Sequence, residues 1–180
     1  MERTLKGNTR ITVHLATIRL LKGSKWGLLG GLAGTMVMDI LLMGALWAVG
    51  QPALLCFSIV GDTVARSFSL LGVQMAGGVL TGAAAHYLIG PLVGVIFGTA
   101  MSMIPALRQA TLKKSLIAAI IYVEILSQPI LATTPILLKM TPSATLLWYA
   151  GSFLMHLVLA LVLGLIVGYG LRPAPQFKGG

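Results

Sequence analysis

Apolar residues fill four long stretches of the chain, and the polar residues that interrupt them are few enough to name. The first stretch runs from Trp26 to about Val49 and ends at Gly50-Gln51-Pro52; the second runs from about Gly77 to Ile104 and stops at Pro105. The third occupies about Ser115 to Leu138, and the fourth about Thr145 to Leu171, closed by Arg172-Pro173. Each approaches or exceeds the roughly 20 residues that an α-helix needs to cross a bilayer. Gln128-Pro129 and Pro135 interrupt the third. A kink or break is predicted there, because proline removes a backbone donor and its ring clashes with the preceding turn.

Two segments carry a weaker pattern. Asn8 to Lys22 interleaves Ile11, Val13, Leu15, Ile18, Leu20 and Leu21 with Arg10, His14, Arg19 and Lys22, the composition of a basic amphipathic helix lying in the membrane interface. No unbroken apolar run followed by a small-residue cleavage site occurs in it, so it is expected to be retained. Between the first two spans, Ala53 to Leu71 mixes apolar and polar residues, and Asp62 ahead of Thr63-Val64-Ala65-Arg66 predicts a helix start on the outer surface. A fifth span there would carry Asp62 and Arg66 at its centre, at a cost of a few kcal/mol each. The expected organisation is a basic interfacial segment (1–25), a first transmembrane hairpin (26–104) with an amphipathic outer loop (53–71), a basic loop (105–114), a second hairpin (115–171) and a tail (172–180). The fold class is all-α, a four-transmembrane-helix bundle.

Composition agrees. The chain is 57% hydrophobic and 9% charged, against roughly 25% charged in soluble domains, which excludes both a water-soluble globule and a disordered chain. Thirteen Lys and Arg stand against four Asp and Glu. They crowd before the first span, between the second and third, and after the fourth, whereas only Arg66 and Lys139 lie on the other side. The positive-inside rule then predicts both termini in the cytoplasm, or on the matrix side in an organelle; the expected location is a prokaryotic plasma membrane. This distribution explains the net charge of +9 without nucleic acid, for which no motif is present. The lone Cys56 allows no internal disulfide and reads as a small buried hydrophobe. The methionines, among them Met36, Met38, Met101 and Met103, read as adaptable packing rather than copper ligands. Trp26, Trp47, Trp148 and Tyr149 fall near span ends, where an aromatic belt places them.

Aligning residues 82–98 with 152–168 sets His86 on His156, and Gly94 and Gly98 on Gly164 and Gly168. In the preceding helices, Val37-Met38-Asp39-Ile40-Leu41 aligns with Tyr122-Val123-Glu124-Ile125-Leu126, acid on acid. The chain therefore reads as two copies of one hairpin, related by a pseudo-twofold axis along the membrane normal. Gly27, Gly31, Thr35 and Asp39 recur at every fourth position, as do His86, Gly90, Gly94 and Gly98, and His156, Ala160, Gly164 and Gly168. Such small-residue stripes allow close backbone approach, so Asp39 and both histidines are expected to face protein.

Asp39 and Glu124 lie near the middle of spans, where a charge costs at least a few kcal/mol. The least costly arrangement is a neutral acid hydrogen-bonded to a neutral imidazole or to a backbone carbonyl. The candidate intramembrane site is Asp39, Glu124, His86, His156 and Gln128. Its residue types suit polar contacts between helices, a proton relay of the kind acids and histidines form in pumps, or, for His86 and His156 alone, the two axial ligands of a haem b. No Glu-x-x-His pair supports a di-metal centre, and no soluble catalytic or phosphate-loop motif is present, so no catalytic residue is assigned.

The Gly-Leu-Ala-Gly-Thr run at 31–35 and the glycine-spaced helices carrying His86 and His156 resemble a group of small, uncharacterised four-helix integral membrane proteins. That resemblance implies the helix count and no activity. The expectation from sequence is a small non-catalytic accessory or scaffolding subunit. Its partners would be the bilayer and other membrane subunits or copies of itself, since four helices offer more small-residue faces than their mutual contacts need. No cofactor is expected. The alternatives are a proton- or ion-coupled transporter or channel, or a bis-histidine haem electron-transfer subunit.

Overall fold

The computed structural model describes residues 2–108 and 111–172, with side chains from residue 14 onward. All regular structure among them is helical: α1 (Glu2–Ala48), α2 (Leu55–Ser69), α3 (Gly78–Met103), α4 (Pro105–Arg108), α5 (Leu112–Leu131), α6 (Thr133–Leu137) and α7 (Pro142–Gly170). Four segments are long and apolar enough to cross a membrane: His14–Ala48, Gly78–Met103, Leu112–Leu137 and Pro142–Gly170. Their outward faces are apolar, with Ile40, Leu80, Leu88, Ile125 and Leu147 largely exposed, as suits a hydrocarbon surround. The chain has the construction of a multi-pass membrane protein.

The first span differs from expectation at its start. No break separates the basic segment from the span, because α1 is continuous over 47 residues, about 70 Å at 1.5 Å per residue. Of the segment expected to lie as a separate interfacial helix, the side chains of residues 1–13 lie outside the described residues. The amphipathic helix of the outer loop forms, but from Leu55, so Asp62 is mid-helix and not its start. Asp62 instead serves the next helix: its Oδ1 accepts from the Gly78 N–H at 2.8 Å. Gly78 takes φ +82°, a conformation glycine adopts without a Cβ penalty. An Asp62→Ala variant is expected to lose about 1 kcal/mol of stability, as cap deletions do, with fraying confined to the first turn of α3 in hydrogen exchange.

The predicted break in the third span lies at Ala132, past Pro129, and its cause is Pro135. Having no N–H, Pro135 leaves the Leu131 carbonyl without its helical donor, and the Trp148 indole Nε1–H donates to that carbonyl at 3.1 Å. Trp148 is thus a structural tie at the break as well as a residue near a span end. The fourth span opens with Thr141, whose Oγ1 accepts from the Ala144 N–H at 3.3 Å.

Packing follows the glycines. α1 lies between α3 and α7, and α5 packs against α7. A Cβ on Gly27 would strike the Gly94 carbonyl, one on Gly98 the Gly23 carbonyl, and one on Gly31 would come within 2.5 Å of the Gly90 carbonyl oxygen. These are backbone-to-backbone contacts that no larger residue permits. On α7, a Cβ at Gly164 would sit 3.0 Å from the Ala119 Cβ, and one at Gly168 3.0 Å from the Ser115 hydroxyl, both on α5. Ser115 Oγ donates to the Gly164 carbonyl at 3.0 Å across that same seam. The glycine stripes are therefore consumed inside the single chain. The buried core, including Phe97, Met101, Ala119, Leu163 and Val167, fills the half of the bundle nearer the termini.

The two aligned hairpins are not equivalent in space. α1 packs closely on α7, but the corresponding pair, α3 and α5, touches at few places. That missing contact opens a cavity in the half of the bundle away from the termini, closed at its outer end by α2 and α6. There Thr63 Oγ1 and Thr134 Oγ1 share a 3.2 Å hydrogen bond.

Candidate intramembrane acid–histidine site

Asp39 stands on α1 one helical repeat after Thr35, on the stripe that faces α3. Thr35 folds its hydroxyl back onto the Gly31 carbonyl at 2.9 Å, which together with the missing Cβ of Gly90 brings α1 and α3 into close contact. One turn further on, the helices hold Asp39 Oδ1 and His86 Nδ1 at 2.9 Å. Asp39 is 2% exposed. Its second oxygen, Oδ2, is buried without a hydrogen-bond partner, although the Tyr87 hydroxyl approaches the same carboxylate. An unpartnered buried carboxylate oxygen is costly, and such groups mark sites with a use for them.

His86 stands between Asp39 and a cavity of about 160 Å³. Its ring is held from the outer side by an edge-on contact with Phe57 of α2, centroids 5.2 Å apart. The cavity wall is mostly apolar, with Thr63, Ser127, Thr134 and the two histidines as its main polar members. Ser127 Oγ is likewise buried and unpartnered. Nearby, Phe97 packs on Tyr122, centroids 5.4 Å apart, and the Tyr122 hydroxyl donates at 3.1 Å to the carbonyl of Val93, a residue of the cavity wall.

His156 enters the same cavity from α7. Its Nδ1 lies 2.7 Å from the Ser152 carbonyl, which can only accept, so Nδ1 carries the proton and Nε2 of the neutral ring carries the lone pair. Glu124 and Gln128 do not join this group. They hydrogen-bond each other along α5, Gln128 Nε2 donating to Glu124 Oε2 at 2.7 Å, and neither lines the cavity. The acid-on-acid alignment therefore does not give a second acid–histidine pair. Glu124 and His156 each find a hydrogen-bond partner within their own helix.

Comparison with family models, curated proteins and solved structures finds no match. The site's chemistry rests on its geometry. At about 160 Å³ the cavity is smaller than the roughly 300–1,000 Å³ typical of pockets that hold cofactor-sized ligands. Among the described residues, no three His, Cys, Asp or Glu side chains gather closely enough to hold a metal ion.

The candidate set read from sequence was Asp39, Glu124, His86, His156 and Gln128, with no statement of which of them meet, and it missed the contribution of α2. Phe57, Val60 and Thr63 close the site, and their only signal in the sequence is a helix too short to span placed beside one that does. Cys56 also lies there. Burial, and secondarily the nearby charge of Asp39, pushes its thiol up to about 12. Because the thiolate is the reactive form, a maleimide near neutral pH is expected to leave Cys56 unmodified in the folded protein and to label it after denaturation. Equal labelling rates in the two states would contradict its placement.

Proposed function

We propose that the protein is a proton-coupled membrane transport unit in which Asp39 and His86 form the protonation site. The observation that carries this reading is the 2.9 Å Asp39–His86 hydrogen bond at the wall of an intramembrane cavity, with Asp39 Oδ2 unpartnered. His86 Nε2 makes no hydrogen bond among the described residues and is the group through which the cavity reaches the pair. Starting from carboxylate and neutral imidazole, a proton accepted at Nε2 allows the Nδ1 proton to pass to Asp39 Oδ1. A neutral acid and a neutral imidazole result, so uptake of one proton removes the single negative charge of the site. His156, with its Nε2 lone pair facing the same space, is the second proton acceptor.

The cavity is bounded on its outer side by the shorter α2 and α6. In this reading, access to it is exchanged by movement where α3 and α5 meet least. The two hairpins are, in this reading, degenerate copies of which only the first keeps its acid–histidine pair. The Lys and Arg distribution supports a reading with both termini in the cytoplasm. An accessory-subunit role was motivated by small-residue faces left over for partners, and those faces are occupied by α1, α3, α5 and α7 themselves.

The test is proton entry into vesicles containing the purified chain, followed with an entrapped pH-sensitive dye under an imposed membrane potential. Entry above that of empty vesicles, lost in His86→Gln, supports the proposal. A rate equal to that of empty vesicles, with and without an imposed pH gradient, overturns it.

A further inference from the structure

Four cationic side chains converge at the other end of the bundle, remote from the acid–histidine site. Arg19 and Lys22 of α1, Arg108 at the end of α4 and Arg172 just after α7 line one cavity of about 530 Å³. They come from three separate parts of the chain, so the cluster is made by the fold and is not a run of charge in the sequence. No acidic residue lines the space. The three acidic side chains among the described residues are engaged elsewhere: Asp39 with His86, Asp62 at the start of α3 and Glu124 with Gln128. None of the four cations forms a salt bridge to a described residue. Arg172 is held in place by its own helix, its guanidinium 4.5 Å from the centre of the Tyr169 ring.

The floor of the cavity is apolar, built from Met101, Leu107, Val167 and Leu171, with Ser102 among them. Cations at a rim above an apolar floor, at the ends of membrane-spanning helices, match an amphipathic anion: charge at headgroup depth and hydrocarbon below. Guanidinium groups pair with phosphate oxygens through two parallel N–H donors. The volume lies within the roughly 300–1,000 Å³ of small-molecule sites.

We infer that this cavity is a binding site for a phosphate group, supplied by the headgroup of an anionic phospholipid. It is independent of the transport reading, since it shares no residue with the acid–histidine site.

The test is native mass spectrometry of the full chain in detergent, titrated separately with phosphatidylglycerol, phosphatidylcholine and inorganic phosphate. Retention of one phosphatidylglycerol in preference to phosphatidylcholine is expected. Each basic residue at a membrane surface contributes roughly fivefold to the binding of anionic lipid, so Arg108→Gln with Arg172→Gln should weaken retention about 30-fold. Arg19→Gln with Lys22→Gln, changed on a different element, should do the same and guards against a folding defect in the first pair. Lys113→Gln with Lys114→Gln removes equal charge outside the cavity and should leave retention unchanged. Displacement of the lipid by inorganic phosphate at comparable concentration would keep the phosphate site and reassign its source to a free anion. Equal retention of phosphatidylcholine, or an equal loss in the Lys113 and Lys114 control, would overturn the proposal.

Discussion

An Asp39→Asn variant is expected to assemble as the parent does and to lose proton entry by about 100-fold or more, the scale on which positioned acid–base groups act. The amide is nearly isosteric with the acid and can still hydrogen-bond His86 Nδ1, which sits 2.9 Å from Oδ1 in the parent. The α1–α3 seam, set by glycine backbones one to three turns away, is untouched. What the amide cannot do is take the proton that His86 passes on. Vesicle dye assays, with thermal unfolding in detergent as a control for assembly, separate the two properties. Loss of assembly together with loss of flux would make Asp39 a structural tie between helices, whose single hydrogen bond is worth on the order of 1 kcal/mol. Retained flux in a folded variant would remove Asp39 from the transport path.

The second large effect belongs to Gly94. It meets the Gly27 carbonyl and lies, as a Cβ would, 2.7 Å from the Gly31 Cα, so the obstacle on every side is backbone. Gly94→Leu is expected to separate α1 from α3 and to destabilise the chain by about 3 kcal/mol or more, the upper range for overpacking, because neither helix can yield a rotamer to make room. Gly44 is the comparison: nothing lies within 4 Å of its would-be Cβ. Gly44→Leu should shift stability by no more than about 0.5 kcal/mol, as substitutions away from packed features do. Equilibrium unfolding in detergent reads both. Equal effects from the two substitutions would mean that the seam is not where the stripe places it.

The spans were legible because crossing a bilayer demands about 20 apolar residues in a row, and little else in a sequence mimics that. Period-four glycines told which faces meet, since only small residues let backbones touch. The stripes implied only that Asp39 and His86 face protein; in the structure Asp39 on α1 meets His86 on α3. The same pattern could not say that the stripes would be exhausted within one chain, because a stripe carries no label for its partner. Glu124 shows the limit of the repeat. The alignment sets it on Asp39, but its hydrogen-bond partner is Gln128, one turn further along the same helix. The cap made by Asp62 was read onto the wrong helix, because an acid ahead of an apolar run looks the same whether it serves its own helix or one that folds back beside it. The basic cavity was invisible for a different reason. Arg19, Lys22, Arg108 and Arg172 are far apart in sequence, and only the antiparallel return of α3 and α7 brings them together.

The measurement that bears most directly on the site is infrared difference spectroscopy of the reconstituted protein as the bulk pH is cycled, wild type beside Asp39→Asn. The account predicts a carboxylic-acid carbonyl band that comes and goes with pH in the wild type, accompanied by imidazole bands, and that is missing from the variant. Wild-type and Asp39→Asn spectra that match in the carboxyl region across the cycle would contradict it, because Asp39 would then never exchange the proton it is placed to hold.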